Sequence, residues 1–194
     1  MKVVDTKLAG VKIIEPRVFK DHRGFFMESF NQRKFSEFGL NYDFVQDNHS
    51  LSKDKHVIRG LHYQLNPMAQ TKLVRVITGA IYDVVVDIRR NSSTFGKWVG
   101  VTLSADNYQM LLVPQGFAHG FCTLIENTHV QYKVDAYYSA EDDRGIRWND
   151  PDLAIAWPTL NPILSKKDTE QPFLKDAEIN FQYKAKEGIC HEVL

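Results

Sequence analysis

The sequence predicts an all-β protein, a jelly-roll barrel or sandwich with a few short helices. Short runs rich in Val, Ile, Phe and Tyr recur at spacings of about ten residues along most of the chain, a spacing typical of sandwiches and barrels. Gly, Pro and Asn clusters separate these runs, as turns between strands require. Convincing helix signals are almost absent. A barrel of this kind has a mouth and an interior, and ligands bind there.

Taken in order, residues 11–16 and 25–30 read as strands on either side of the turn-like Asp21-His22-Arg23-Gly24. One early helix opens near Asn31 and runs to Phe38. Asn satisfies free N–H groups at its start, and Gly39 adopts the left-handed conformation that ends it. Residues 44–50 form a strand with Gln46, Asn48 and Ser50 on one face, because side chains alternate along a strand. Residues 72–77, the turn Thr78-Gly79 and residues 80–88 read as a hairpin in which Lys72 shares a face with Val74 and Val76. A second pair, 98–103 and 110–113, flanks the turn around Ser104 to Asn107. After Pro114-Gln115-Gly116, the strand at 117–125 puts His119 on the face of Phe117, Phe121 and Ile125. Alternation is cleanest over 129–138. There Tyr132 and Tyr138 share a face with Val130, Val134 and Ala136 and are expected to point inward. Beyond Glu141 the chain reads as loops around Trp148, Pro151, Trp157-Pro158 and Pro162, with helical character only near 173–180. Without an internal repeat or low-complexity linker, one domain over 1–194 is expected, with an irregular or helical tail from about residue 163.

With 24 basic and 24 acidic residues the net charge is zero, which argues against a general nucleic-acid or anionic-membrane binder. No apolar run reaches the length of about 18 residues that a membrane helix needs, and Met1-Lys2-Val3-Val4-Asp5 lacks a signal-peptide core. A cytoplasmic protein is expected. Cys122 and Cys190 fit neither a disulfide framework nor a zinc spacing and read as free thiols.

The chemistry concentrates in Arg59-Gly60-Leu61-His62-Tyr63-Gln64 and in Lys72. Inward-facing polar candidates are Gln46, Asn48, Arg59, His62, Lys72, His119 and Tyr132. Cupin barrels commonly hold a metal through a His-x-His pair, a carboxylate and a later histidine. Here the pair reads His62-Tyr63-Gln64, and a neutral amide is a poor substitute for imidazole at a transition metal. Lys72 would also bring positive charge to the cation's position, so no metal and no other cofactor is expected. Without a metal, His62 can act as a general base, Lys72 can stabilise an oxyanion, and Tyr132 can donate a proton from another direction. Those roles describe proton abstraction next to a ketone followed by reprotonation. One difficulty arises: Arg59 and His62 are three positions apart, and a regular strand sends them to opposite faces. A bulge at Gly60 would turn both inward.

These residues closely resemble the dTDP-4-dehydrorhamnose 3,5-epimerase family. The matching segments include Asp21 to Phe30, Gln46-Asp47-Asn48-His49-Ser50, Arg59 to Gln64, Gln70-Thr71-Lys72-Leu73-Val74 and Gly79 to Val84. Further on come Val86 to Arg89, Ser92 to Gly96, Pro114 to Phe121, Gln131-Tyr132-Lys133, Trp157-Pro158 and Leu164 to Asp168, all in order. The resemblance implies His62 as base with Asp168 as its orienting partner, Lys72 as the group on the C4 enolate and Tyr132 as acid. It implies dTDP-4-dehydro-6-deoxy-D-glucose as substrate, with C3 and C5 both epimerised. Around the nucleotide sugar it places Arg59, His119, Gln46, Asn48, Glu141 and Lys167, with Tyr138 stacking on thymine. Arg23, Phe26 and Glu28 match positions that reach into a neighbouring subunit through an exchanged N-terminal segment, which implies a homodimer.

Each residue also has a structural reading. His62 and His119 could be satisfied barrel histidines, Tyr132 a core tyrosine with a bonded hydroxyl, and Lys72 a solvated edge charge. Arg23 and Glu28 could form a surface ion pair. His22, His49, His56, His129 and His191 read as structural or exposed. Two other functions fit the same residues: a single-centre epimerase or ketoisomerase on a related sugar, and a non-catalytic sugar-nucleotide binding barrel.

Overall fold

The computed structural model describes residues 1–183. Along the chain come β1 (Lys2–Asp5), β2 (Lys12–Glu15), β3 (Val18–Asp21), β4 (Gly24–Met27), α1 (Gln32–Ser36), β5 (Gln46–Ser52), β6 (Ile58–Gln64), β7 (Lys72–Thr78) and β8 (Ala80–Asp87). They continue with β9 (Trp98–Ser104), β10 (Met110–Val113), β11 (Phe117–Thr123), β12 (Thr128–Val134), β13 (Asp143–Gly145), α2 (Lys166–Thr169) and a 3-10 turn over Leu174–Asp176. A six-stranded sheet ordered β1-β2-β10-β7-β12-β5 faces a five-stranded sheet ordered β13-β6-β11-β8-β9, giving the jelly-roll sandwich. β3 and β4 form a separate hairpin.

Alternation explains the layers. β7 turns Val74 and Val76 inward and β8 turns Ile81 and Val85 to meet them, with Leu103, Leu111, Phe121 and Val130 completing the space between the sheets. On the outside of the five-stranded sheet Leu61, Tyr63, Val84, Val86 and Ala118 are covered by Ile146, Leu153, Ile179 and Phe181. β11 is therefore buried along its whole length, which accounts for its nearly continuous apolar sequence. α1 starts where Asn31 Oδ1 accepts from the Lys34 N–H at 3.2 Å, a cap worth about 1 kcal/mol. So short a helix depends on packing, and its Phe35 is buried against Ile14, Leu73, Met110 and Leu112. Gly39, at φ +72°, follows it in the left-handed region.

Several sequence expectations require correction. β7 and β8 are not a hairpin: β7 pairs with β10 and β12, whereas β8 pairs with β9 and β11. Thr78-Gly79 is a corner between the two sheets. At Gly79 a Cβ would lie 2.3 Å from Thr128 Oγ1, so the close approach of β12 fixes glycine there. β9 and β10 likewise lie in opposite sheets rather than pairing. The strand that enters the turn at Asp21 is β3, not the segment at 11–16, which becomes β2 beside β1 and β10. The alternating run ends at Val134, so Tyr138 sits on an exposed loop, 61% accessible, instead of pointing inward. Helical structure near 173–180 shrinks to one 3-10 turn, while α2, unforeseen, carries Asp168. Cys122 is a buried free thiol; Cys190 and His191 lie outside the described residues. No helix among the described residues is long and apolar enough to cross a membrane.

The bulge expected at Gly60 is present. Across β6 and β11, His62 pairs with His119 and Arg59 with Phe121, so three steps on β6 oppose two on β11. Gly60 has φ +112°, and a Cβ there would lie 2.6 Å from the His119 carbonyl oxygen and 2.7 Å from Gly120 Cα. Both obstacles are backbone and cannot yield by a rotamer change. Gly60→Ala is expected to destabilise the fold by about 3 kcal/mol and to disturb the Arg59–His62 alignment. Urea denaturation measures the first effect, and a variant with the wild-type midpoint and activity would contradict the assignment.

Candidate active site

Between the two sheets, a cleft of about 230 Å³ is lined by Ser50, Arg59, His62, Lys72, His119, Phe121, Tyr132, Ser165 and Asp168. Five strands and α2 converge to build it, so residues up to 118 positions apart in sequence meet: Ser50 from β5 and Asp168 from α2.

His62 Nε2 lies 2.6 Å from Asp168 Oδ1. Asp168 also accepts from Ser165 Oγ at 2.7 Å and, at 3.4 Å, from the Gly60 N–H. Burial by itself would raise this carboxyl, but the hydrogen bonds from His62, Ser165 and Gly60 outweigh it and hold it below its ordinary value. It is therefore ionised at neutral pH and fixes the His62 ring, leaving Nδ1 as the uncommitted nitrogen. Lys72 enters from β7, its ammonium 3.5 Å from the His62 carbonyl oxygen and without an ion-pair partner among the described residues. Burial pulls Lys72 down to about 8, opposed by the charges of Asp143 and Asp83 and reinforced by Lys167. Such a lysine is a desolvated cation near neutral pH. Tyr132, opposite Asn48 across β5 and β12, is pushed above its ordinary value chiefly by burial, so its phenol keeps its proton and remains a donor. Arg59 is anchored to β5 through Ser52 Oγ and the Leu51 carbonyl, both at 3.1 Å, and no carboxylate among the described residues neutralises it. His119 gives its Nε2 to Asp83 Oδ1 at 2.6 Å.

Thus six of the sequence candidates, Arg59, His62, Lys72, His119, Tyr132 and Asp168, meet in one cleft. Gln46 and Asn48 continue the inner face of β5 and hydrogen-bond one another at 2.9 Å, while Gln46 Oε1 accepts from the Tyr138 N–H at 3.2 Å. Tyr138 donates its hydroxyl to Asp143 Oδ2 at 3.1 Å, and Lys167 pairs with the same oxygen, forming a polar rim. Glu141 is exposed, and its carbonyl, not its carboxylate, accepts from Arg144. Arg23, Phe26 and Glu28 do not line this cleft: Arg23 pairs with Asp21 and Glu28 with Lys34 and Asn31. The two do not pair with each other. The Gln64 amide is occupied by the carbonyls of Met68 and Tyr137 and by the Ser139 N–H. Sequence reasoning missed Ser165, Asp143 and Asp83. Asp83 carried a signal, since a carboxylate in the apolar run 80–88 must find a partner if that strand is buried.

A general base with an ionised orienting carboxylate, an unpaired cation and a protonated phenol around one cleft can take a proton beside a carbonyl, hold the oxyanion and return a proton. Comparison with known proteins agrees. A family model described as dTDP-4-dehydrorhamnose 3,5-epimerase matches residues 5–176. The dTDP-4-dehydrorhamnose 3,5-epimerase of Escherichia coli K12 is 55% identical over 94% of this chain and 98% of its own length. A crystal structure of the enzyme from Bacillus anthracis with TDP and pyrophosphate bound is 56% identical, with a TM-score of 0.87 over 89% of this chain and 98% of that one. The Legionella pneumophila epimerase in complex with dTDP-4-keto-L-rhamnose is 44% identical, with a TM-score of 0.91 over 95% and 99%. With fold and sequence matching over nearly their full length, the chain belongs to the dTDP-4-dehydrorhamnose 3,5-epimerase family.

Proposed function

We propose that the protein epimerises dTDP-4-dehydro-6-deoxy-D-glucose at C3 and C5 to dTDP-4-dehydro-L-rhamnose, without a metal or other cofactor. The observation that carries this reading is the meeting of the His62–Asp168 dyad, unpaired Lys72 and protonated Tyr132 in one cleft. Both carbons flank the C4 ketone, so one enolate-stabilising group serves both. His62 Nδ1 removes the proton, Lys72 holds the C4 oxyanion, and Tyr132 returns a proton from its own side of the ring. Delivery to the opposite face inverts the centre. Arg59 is suited to the diphosphate, because a guanidinium grips its oxygens in a fork. His119, Gln46 and Asn48 bind the sugar and nucleotide from within, and Tyr138, Lys167 and Glu141 from the rim.

The acting form is a homodimer in the cytoplasm. Phe19, Phe25 and Phe26 are 50%, 55% and 66% accessible on a hairpin that joins neither main sheet. A two-stranded hairpin is marginal alone, and a second copy would cover its aromatic face and bring Arg23, Phe26 and Glu28 to the partner's cleft.

Incubation with dTDP-4-dehydro-6-deoxy-D-glucose in deuterated water, followed by NMR, tests the reaction. Deuterium is expected at both C3 and C5. Label at a single carbon would instead establish a one-centre epimerase, and no label would leave a binding barrel.

A further inference from the structure

We propose that Asp83 is a positioning residue of this cleft, holding the His119 ring with Nδ1 toward the substrate. This rests on the epimerase reading above. Asp83 is wholly buried at the centre of β8, where an ionised carboxylate costs several kcal/mol unless partnered. Its Oδ1 accepts from His119 Nε2 at 2.6 Å, yet its buried Oδ2 accepts from no donor among the described residues. A buried orphan oxygen in a native fold calls for a reason.

The other dyad supplies the contrast. Asp168 spreads its charge over His62, Ser165 and Gly60, whereas Asp83 directs its charge at one imidazole. Both carboxylates take Nε2 of their histidine, so both rings keep Nδ1 free, and His62 and His119 are direct neighbours across β6 and β11. Proton abstraction needs one base. The second dyad, the more buried of the two, is therefore placed to orient a ring against the sugar nucleotide rather than to exchange protons with it.

NMR on the substrate-free protein tests this role whether or not the chain turns over the sugar. In the wild type, ¹⁵N shifts should place the His119 proton on Nε2; a ring protonated only on Nδ1 overturns the proposal. In turnover assays Asp83→Asn should lose about tenfold or more in kcat/KM. Wild-type kcat/KM would likewise overturn the role. Should that variant fail to fold, the wild-type tautomer still decides.

Discussion

Replacing His62 with alanine is expected to lower kcat/KM by between about 10²- and 10⁴-fold and to suppress deuterium incorporation at both C3 and C5. The size follows from the geometry. Asp168 occupies Nε2, so the ring's one uncommitted nitrogen is Nδ1, and no other imidazole in the cleft is paired with so well-satisfied a carboxylate. Tyr132 keeps its proton and Lys72 is cationic near neutral pH, so neither can substitute as base. The change also removes one of three donors to a buried carboxylate, which costs roughly 1–3 kcal/mol of stability. Activity must therefore be compared at temperatures where circular dichroism shows the variant folded. A folded His62→Ala protein that exchanges label at the wild-type rate would remove His62 as the base.

Lys72→Met is expected to lower kcat by about 10²- to 10³-fold, as loss of one preorganised oxyanion-stabilising group does, while making the fold more stable. The sign of the stability change follows from linkage. Lys72 has a folded value near 8 against an ordinary 10.5, so between those values the unfolded chain binds more protons and stability rises with pH. Below about 8 the full cost of holding the ammonium in the cleft applies, and it is relieved as pH climbs toward 10.5. Methionine fills similar space with no charge to desolvate. At pH 7 the variant should gain about 1–3 kcal/mol, a gap that closes above pH 8. Thermal unfolding across that range checks it. A variant that loses activity and stability together would mean that Lys72 is held by a favourable ion pair, contrary to the reading here. Stability in excess of need is commonly given up where a site requires an unpaired charge.

How far the sequence reaches can be judged residue by residue. Alternation correctly put Lys72 on the face of Val74 and Val76, and Gln46, Asn48 and Ser50 on the inner face of β5. It even required the bulge at Gly60, since Arg59 and His62 could share a cleft in no other way, and the register across β11 has that extra residue. Tyr138 was misplaced because the pattern at 129–138 outlasts the ladder: pairing with β5 and β7 stops at Val134, and nothing local marks that end. Asp168 came into view only through resemblance, since the four residues of α2 carry no strong helix pattern of their own.

What the sequence determined by itself was the set of strands, their inward faces and the chemical kinds of group gathered on them, because those follow from a two-residue period and from local turn chemistry. The tertiary structure alone decided which strands pair. A Thr-Gly corner looks the same whether the chain folds back or crosses to the other sheet, and only contacts with distant β12 and β11 distinguish the two. It alone also brought Asp83 to His119 and Asp168 to His62, across 36 and 106 positions, since burial charges and orphan oxygens arise only when distant strands close on one another.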